Sequence, residues 1–422
     1  MRRIPLLMLV AAAASAGCGD EPPEQGDAGA AAVAAQGISS AAIPPGSRLS
    51  LELVADFNIS TGTFFESIPD ADFGGISGLF FDPDKMEIVA ISDSRANNRY
   101  FTLAVELEGD SIRFTPIAVT QLEDGASGEA GGAGEAGGAG AAGTSAVHRV
   151  FDPESIARAP NGNLFVSTEG TVAREPRIAP TIAEFRPDGQ FVRFLPVPDK
   201  FVPEAVGPQT KGIVDNLAFE GLSVSPDGSR VFTATEAALV QDGTPSSVGG
   251  GSLARILEMG IGADTEGLVR EYVYPVEPLT LPADFEPVAG ENGLVELLAL
   301  SNTELLALER NFVRGGMPEQ QRRNVIRIFR VSLRDATDVS GIFSLADSAD
   351  MTGLVPVEKE LIIDFEEITP ALSADYPELD NFEGLSWGPT LPDGTPSLIV
   401  VSDNNFNPWQ RTSFLLFRIR TD

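Results

Sequence analysis

Nine acidic side chains and one serine recur at matched places in this sequence, and they are the residues with chemistry to offer. Ser77, Glu154, Glu220, Glu296 and Glu383 each open an apolar run. Asp93, Glu169, Glu236, Glu309 and Asp403 each close the run that follows. If the modules that carry them surround one axis, four opening carboxylates converge there. Two like charges about 4 Å apart repel by on the order of 4 kcal/mol at an effective dielectric near 20, so such a ring must hold protons or a cation. Oxygen donors without histidine or cysteine suit Ca2+, which takes about 6–8 oxygens, rather than Zn2+ or copper. The expected metal ligands are therefore Ser77, Glu154, Glu220, Glu296 and Glu383. Asn216 and Asn292, each four residues before a glutamate, would add supporting hydrogen bonds. The alternative is that each glutamate caps a strand or bonds the backbone of a neighbouring module.

Some closing residues have basic neighbours, as in Asp93-Ser94-Arg95 and Glu309-Arg310. Arg95, Arg99, Arg174, Lys211, Arg310, Arg314 and Arg411 are expected in loops leaving these strands. Metal-holding carboxylates beside arginines suit a phosphate ester: the metal neutralises charge and activates water, and arginine binds oxygens bidentately. Asp93, Arg95, Glu309, Arg310 and Asp403 are the expected catalytic residues. Each arginine could instead form an ion pair that steadies its loop.

Other chemistries lack their residues. His148 is the sole histidine and sits at the end of a Gly/Ala-rich stretch, where it reads as a solvated loop residue. That argues against a Ser-His-Asp hydrolase and a histidine-ligated metal. There is no Gly-x-Ser-x-Gly elbow, no phosphate loop ending in Gly-Lys-Ser/Thr and no Cys-x-x-Cys.

The elements that position these residues repeat. From Asp215 to Glu236 the chain reads strand, Ser225-Pro226-Asp227-Gly228 turn, strand. Proline presets φ and glycine supplies φ > 0, as a hairpin requires. The same unit runs from Ile76 to Asp93, from Glu154 to Glu169, from Glu296 to Glu309 and from Glu383 to Asp403. The units begin roughly 65–90 residues apart, longer than a WD blade of about 40–45 residues and ample for four strands. The predicted fold is all-β: a β-propeller of five blades, with a degenerate sixth left open in 312–380.

Arg48–Ile59 alternates apolar and polar residues before the first unit, and Ser413–Ile419 is a strand after the last. Pairing the N-terminal strand with the last blade would close the ring and remove a free edge. Outer strands are predicted at 101–107 and 112–119, 182–185 and 191–195, 253–259 and 269–274, and 325–332 and 360–365, with 333–357 as a long excursion. One domain from 48 to 422 results, with a Gly/Ala-rich insertion at 124–146 that cannot bury a core.

The first residues are not part of that domain. Arg2-Arg3, an apolar run from Ile4 to Ala14 and Ser15-Ala16-Gly17-Cys18 read as a signal peptide over 1–18 with a lipobox-like end. Cys18 would become a lipidated N-terminus, although Ser15 stands where leucine is usual; an ordinary secretory signal is the alternative. Residues 19–47 are acidic and then Ala/Gly-rich, the composition of a flexible tether. The chain is predicted to be exported, as a periplasmic or outer-membrane lipoprotein of a bacterium, and monomeric. A net charge of −32 disfavours nucleic acid and anionic membrane surfaces, leaving the lipid anchor as the membrane contact. With one cysteine there is no intrachain disulfide.

With the repeat laid out, the chain resembles the phytase-like family of secreted bacterial propellers with esterase-like activity of phytase. The matching stretches are Gly-Gly-Ile-Ser-Gly-Leu at 74–79, Ala-Ile-Ser-Asp-Ser-Arg at 90–95, Asp-Pro-Glu-Ser-Ile at 152–156 and Asn-Leu-Ala-Phe-Glu-Gly-Leu-Ser at 216–223. They continue with Ala-Leu-Glu-Arg-Asn at 307–311, Asn-Phe-Glu-Gly-Leu-Ser-Trp-Gly at 381–388 and Val-Val-Ser-Asp-Asn-Asn at 400–405. The Asp-Ala-Ala-Asp-Asp-Pro segment associated with true β-propeller phytases has no counterpart. The resemblance implies a small-molecule phosphate ester, or another ester, as substrate. Three functions stay open: a Ca2+-dependent phosphoric-ester hydrolase, a non-catalytic propeller that binds a ligand or protein around a structural Ca2+, and a lactonase-like esterase.

Overall fold

A computed structural model describes residues 43, 46–125, 148–281, 287–315, 322–346 and 352–422. The signal peptide 1–18 with Cys18, most of the tether 19–47 and the insertion 124–146 beyond Gly125 lie outside the described residues.

Among the described residues, twenty strands form five four-stranded antiparallel sheets. The chain begins with β1 (Leu49–Ser60) and then builds the first blade from β2 (Ile76–Asp82), β3 (Glu87–Ser92), β4 (Arg99–Glu108) and β5 (Ser111–Gln121). The second holds β6 (Pro153–Arg158), β7 (Leu164–Thr168), β8 (Thr181–Phe185) and β9 (Phe191–Phe194). The third holds β10 (Phe219–Val224), β11 (Arg230–Thr235), β12 (Ser252–Gly260) and β13 (Val269–Val276). The fourth holds β14 (Pro287–Ala299), β15 (Glu304–Gly315), β16 (Arg322–Ser332) and β17 (Glu358–Asp364). The fifth contains β18 (Asn381–Trp387), β19 (Ser397–Asp403) and β20 (Arg411–Thr421), and β1 completes it. The other described regular elements are short 3₁₀ turns at Asp199–Phe201, Phe365–Glu367 and Thr369–Ala371.

The ring closes as its sequence predicts. β1 pairs antiparallel with β20 from Leu49 opposite Thr421 to Ser60 opposite Arg411. Chain start and chain end thus share one sheet, and the outer edge of the last blade is the N-terminal strand. The described residues of 312–380 supply the outer strands of the fourth blade and two 3₁₀ turns, and among them there is no sixth blade.

Burial follows distance from the axis. β10 (FEGLSV) and β7 (LFVST) are buried throughout, because neighbouring blades cover both their faces. Farther out, β5 begins with alternate residues exposed, the period of a half-covered strand. Blades meet through apolar side chains; Phe114 of the first stacks on Phe414 of the fifth at 4.2 Å between ring centroids.

Around the axis the first strands touch in ring order, β2 to β6 to β10 to β14 to β18 and back to β2. That approach demands small residues. A Cβ on Gly221 would lie 2.6 Å from Leu297 N, and one on Gly78 would lie 2.6 Å from Ser155 Cα. In four blades the residue after the opener is small: Gly78, Ser155, Gly221 and Gly384. In the fourth it is Leu297.

Candidate metal centre and cavity

At the end of the axis where the first strands begin, a cavity of about 770 Å³ opens. At the other end is a chamber of about 70 Å³, lined by Leu79, Ile156, Leu222, Leu297, Leu385 and Trp387 among others. The polar end is the candidate site.

Two local features deliver carboxylates there. First, the backbone N–H of a closing residue bonds the carbonyl two residues before the opener: Asp93 to Gly75, Glu169 to Asp152, Glu236 to Ala218. This sets opener and closer side by side. Second, the pairing of each first strand with its partner is irregular at the opener: between Ile76 and Gly78, Pro153 and Ile156, Phe219 and Leu222, and Phe382 and Gly384. Such bulges re-aim a side chain. In the fourth blade the irregularity falls one residue earlier, between Leu294 and Glu296, and Glu296 pairs in register with Leu308.

The consequence is an asymmetric site. Glu154, Glu220 and Glu383 line the cavity; Ser77 and Glu296 do not. Glu296 accepts from Ser155 Oγ at 2.8 Å and from the backbone N–H groups of Leu222 and Leu297 at 2.9 Å each. It is a buried tie between the second, third and fourth blades, the structural alternative the sequence left open. The Ser77 hydroxyl is buried without a hydrogen-bond partner among the described residues.

Among the closing residues, Asp93, Glu169 and Asp403 line the cavity, and Glu236 lies fully buried beside it. Glu309 does not take part. Its carboxylate accepts from Tyr274 Oη at 2.9 Å, from Lys359 Nζ at 2.5 Å and from Asn292 Nδ2 at 3.0 Å, and so braces the third blade against the fourth. The expectation of a catalytic Glu309 is corrected on that ground, and Asn292 supports Glu309 rather than Glu296.

Carboxylate oxygens gather in two trios, Asp152 with Glu154 and Glu169, and Glu169 with Glu220 and Glu236; within each, the ligand atoms lie within 4.8 Å of one another. Glu169 belongs to both. All come from the second and third blades, so the cluster is off the axis and mixes openers with closers. Asp152, two residues before an opener, is not among the residues that the repeat singles out, although it stands in the same Asp-Pro-Glu run as Glu154.

The fourth and fifth blades meet the same crowding with a guanidinium. Arg310 Nη1 donates to Glu383 Oε1 at 2.6 Å and to Asn381 Oδ1 at 2.5 Å, and Nη2 donates to Glu236 Oε1 at 3.2 Å. Arg95, whose side chain is 55 % exposed, donates to Asp152 Oδ2 at 2.5 Å and to Asn216 Oδ1 at 2.6 Å. Asn216 thus serves Arg95, not Glu220. Of the basic residues expected in loops, Arg99 on β4, Arg310 and Arg314 on β15 and Arg411 on β20 lie in strands instead; Arg99, Arg174, Lys211, Arg314 and Arg411 lie outside the cavity wall, whereas Arg322 lines it.

Burial and mutual repulsion shift the carboxyl groups towards protonation. Burial and the charge of Asp152 push Glu169 up to about 8. Burial, with Glu383 and Asp152 adding, takes Asp93 to about 7. Asp152 rises to about 6 through burial, with Arg95 pulling the other way. Glu154, Glu220, Glu236 and Asp403 are raised well above the usual range, chiefly by burial. Buried carboxylates with raised pKa values and a specific charge environment mark functional sites.

The residues fit a hard cation. Among the described residues, Glu236 Oε2 and Asp93 Oδ1 are buried oxygens with no hydrogen-bond partner, although buried polar groups are normally satisfied. The donors are oxygens throughout, as Ca2+ prefers. Backbone strain concentrates at the same place. Asp152, Asn216, Asn405 and Phe406 have φ of 59°, 58°, 46° and 52°, and all four line the cavity. A Cβ on Gly75, at φ +64°, would lie 2.2 Å from Asp93 Oδ1, so this close approach requires glycine.

Residues 71–406 match the model of the phytase-like family, described by its esterase-like activity of phytase. No curated protein matches the chain. Solved structures with a similar trace include a mannose phosphorylase from Leishmania mexicana in complex with phosphate ion, at 10 % identity and TM-score 0.35, covering 85 % of this chain and 87 % of that one. An α-L-arabinanase of Penicillium chrysogenum complexed with arabinobiose matches at 11 % identity and TM-score 0.36, over 82 % and 80 % of the two chains. A gluconolactonase from Xanthomonas campestris matches at 10 % identity and TM-score 0.27, over 90 % and 92 %. Likenesses this distant carry no argument about chemistry. The family match spans most of the chain, and the chain belongs to the phytase-like family.

Proposed function

We propose that this phytase-like propeller hydrolyses phosphate esters and depends on Ca2+ held by Asp152, Glu154, Glu169, Glu220 and Glu236. The observation that carries the reading is the pair of carboxylate trios sharing Glu169, with Glu236 Oε2 buried and unpartnered. When bound, the cation would neutralise phosphate charge and lower the pKa of water.

The chain's own residues supply what the cation does not. Without a cation, a floor of carboxylates repels a phosphate, so anion binding in this cavity is tied to cation binding. Arg95, exposed at the wall and tied to Asp152, offers a guanidinium to phosphate oxygens. Asp93, a cavity-lining carboxyl group with its pKa raised to about 7 by burial, would take the proton from water. Asp403, whose Oδ1 accepts from Asn405 N at 2.8 Å, holds the strained turn after β19. Arg310 acts from beneath as a fixed counter-charge rather than as a substrate ligand.

The test is turnover by chelator-stripped protein with and without Ca2+. Phosphomonoesters, nucleotides and phytate would be run beside lactones and aryl carboxylic esters. Calcium-dependent phosphate release is expected. No release from any phosphate ester overturns the reading; turnover confined to lactones or carboxylic esters transfers the same site to the lactonase-like alternative. Binding of Ca2+ without any turnover would leave the non-catalytic propeller.

Export and lipid attachment at Cys18 belong to the same proposal. Fatty-acid labelling in a bacterial host, lost in Cys18→Ala, is the expected result; an unlabelled wild-type chain argues for an ordinary secretory signal.

A further inference from the structure

We infer that the ester bound in this cavity carries a planar unsaturated ring on its alcohol side, and that Trp409 is the surface on which that ring stacks. This rests on the phosphate-ester reading of the same cavity and names its substrate class.

Besides its carboxylates and Arg95, the cavity is lined by Phe312, Tyr376, Leu379, Phe406 and Trp409, with the acidic Glu378 and Asp380 among them. A cavity of about 770 Å³ has room for far more than a phosphate group. Trp409 is 61 % exposed, and Arg322 lies with its guanidinium 5.6 Å from the indole centroid.

The segment bearing the indole is fixed rather than loose. Asn407 N bonds Asn404 O at 2.8 Å, Gln410 N bonds Asn407 O at 3.1 Å, and Gln410 Nε2 reaches Asp380 Oδ1 at 2.8 Å. An exposed indole held in place beside a charged floor suits a ligand with a flat ring at one end and a phosphate at the other. Stacking on an aromatic side chain needs a π face. A fully phosphorylated polyol presents anionic oxygens on every side and no such face. The inference therefore separates aryl or base-bearing phosphate esters from phytate-like ones.

The probes are three phosphonates that cannot be hydrolysed, titrated in Ca2+: phenylphosphonate, its saturated counterpart cyclohexylphosphonate, and methylphosphonate. The chain has two tryptophans, and Trp387 lines the chamber at the opposite end of the axis. Emission in a Trp387→Phe background therefore reports Trp409, and calorimetry on the unaltered chain checks it. We expect phenylphosphonate to bind about tenfold or more tighter than cyclohexylphosphonate. Trp409→Ala should erase that difference while leaving methylphosphonate binding unchanged, and Trp409→Phe should keep most of it. Equal binding of the phenyl and cyclohexyl probes overturns the inference, as does a Trp409→Ala variant that weakens all three alike. A ring preference without phosphate release from any ester would sustain the stacking surface and sink the hydrolase. Phosphate release with no ring preference would do the reverse. If none of the three binds, both fall.

Discussion

Arg310 on β15 donates to Glu383 on β18 at 2.6 Å across the boundary between the fourth and fifth blades. The same guanidinium reaches Glu236 of the third blade at 3.2 Å. One buried cation built into the chain thus compensates one side of a carboxylate ring, and the other side, among the described residues, has the half-exposed Arg95 paired with Asp152. Position rather than residue type separates the two halves of the site.

Replacing Arg310 by methionine leaves Glu236 and Glu383 buried without their counter-charge. Removing one partner of a buried ion pair costs about 3–5 kcal/mol. Thermal unfolding of Arg310→Met in chelator should show a loss of that order, with part of it regained in millimolar Ca2+. A variant as stable as the parent in chelator would mean that the ring is not electrostatically strained.

Stability without cation should fall as the pH rises. Asp93, Asp152 and Glu169 have folded-state pKa values raised to about 7, 6 and 8 from 3.8, 3.8 and 4.5. A raised acid favours the folded state fully below its unfolded pKa, and that contribution is lost as the pH climbs through the folded value. The window is therefore about pH 4 to 8. A tenfold difference in proton affinity between folded and unfolded states corresponds to about 1.4 kcal/mol, so the three groups together give a change on the order of several kcal/mol. Melting curves in chelator at pH 5 and pH 8.5 should differ accordingly, and saturating Ca2+ should flatten the dependence. A cation-free protein that melts higher at pH 8.5 than at pH 5 contradicts this.

Much of the fold could be read directly from the sequence, because its signals are local. Alternating residues mark β1, the Ser-Pro-Asp-Gly turn marks the β10–β11 hairpin, and the recurrence of these units sets blade number and ring closure. The site was legible only in part. Glu154, Glu220, Glu383, Asp93 and Asp403 reach the cavity as their recurrence suggests, but Glu296 does not. Its strand breaks register one residue early, and the visible trace of that is Leu297 standing where the other blades have glycine or serine. Glu309 lies in the middle of β15 (Glu304–Gly315), whereas Asp93, Glu169, Glu236 and Asp403 lie at or just past the ends of their strands. It is drawn away by Lys359 and Tyr274, residues distant in sequence whose approach no local pattern announces.

Glu309→Gln should separate bracing from binding. Lys359 is 9 % exposed and would lose its buried partner, a cost of about 3 kcal/mol. Ca2+ affinity should stay within about twofold of the parent. A large loss of Ca2+ binding in a folded Glu309→Gln protein would return this residue to the metal site.

Gly293→Ala should act in the opposite sense. Its new Cβ would lie 2.1 Å from Glu236 Cγ, forcing that side chain to move. The expected outcome is a Ca2+ affinity lowered by tenfold or more, read by calorimetric titration. Unchanged affinity would remove Glu236 from the ligand set.

The most direct measurement is the calcium content of protein stripped with chelator, re-equilibrated with Ca2+ and freed of excess ion, for the parent and for Glu169→Gln. Glu169 is common to both trios, and its neutral isostere should keep the fold, since burial already favours the neutral form of Glu169. The prediction is at least one Ca2+ per parent chain and none in Glu169→Gln. A parent that retains no Ca2+, or a variant that retains as much as the parent, would contradict the carboxylate cation site.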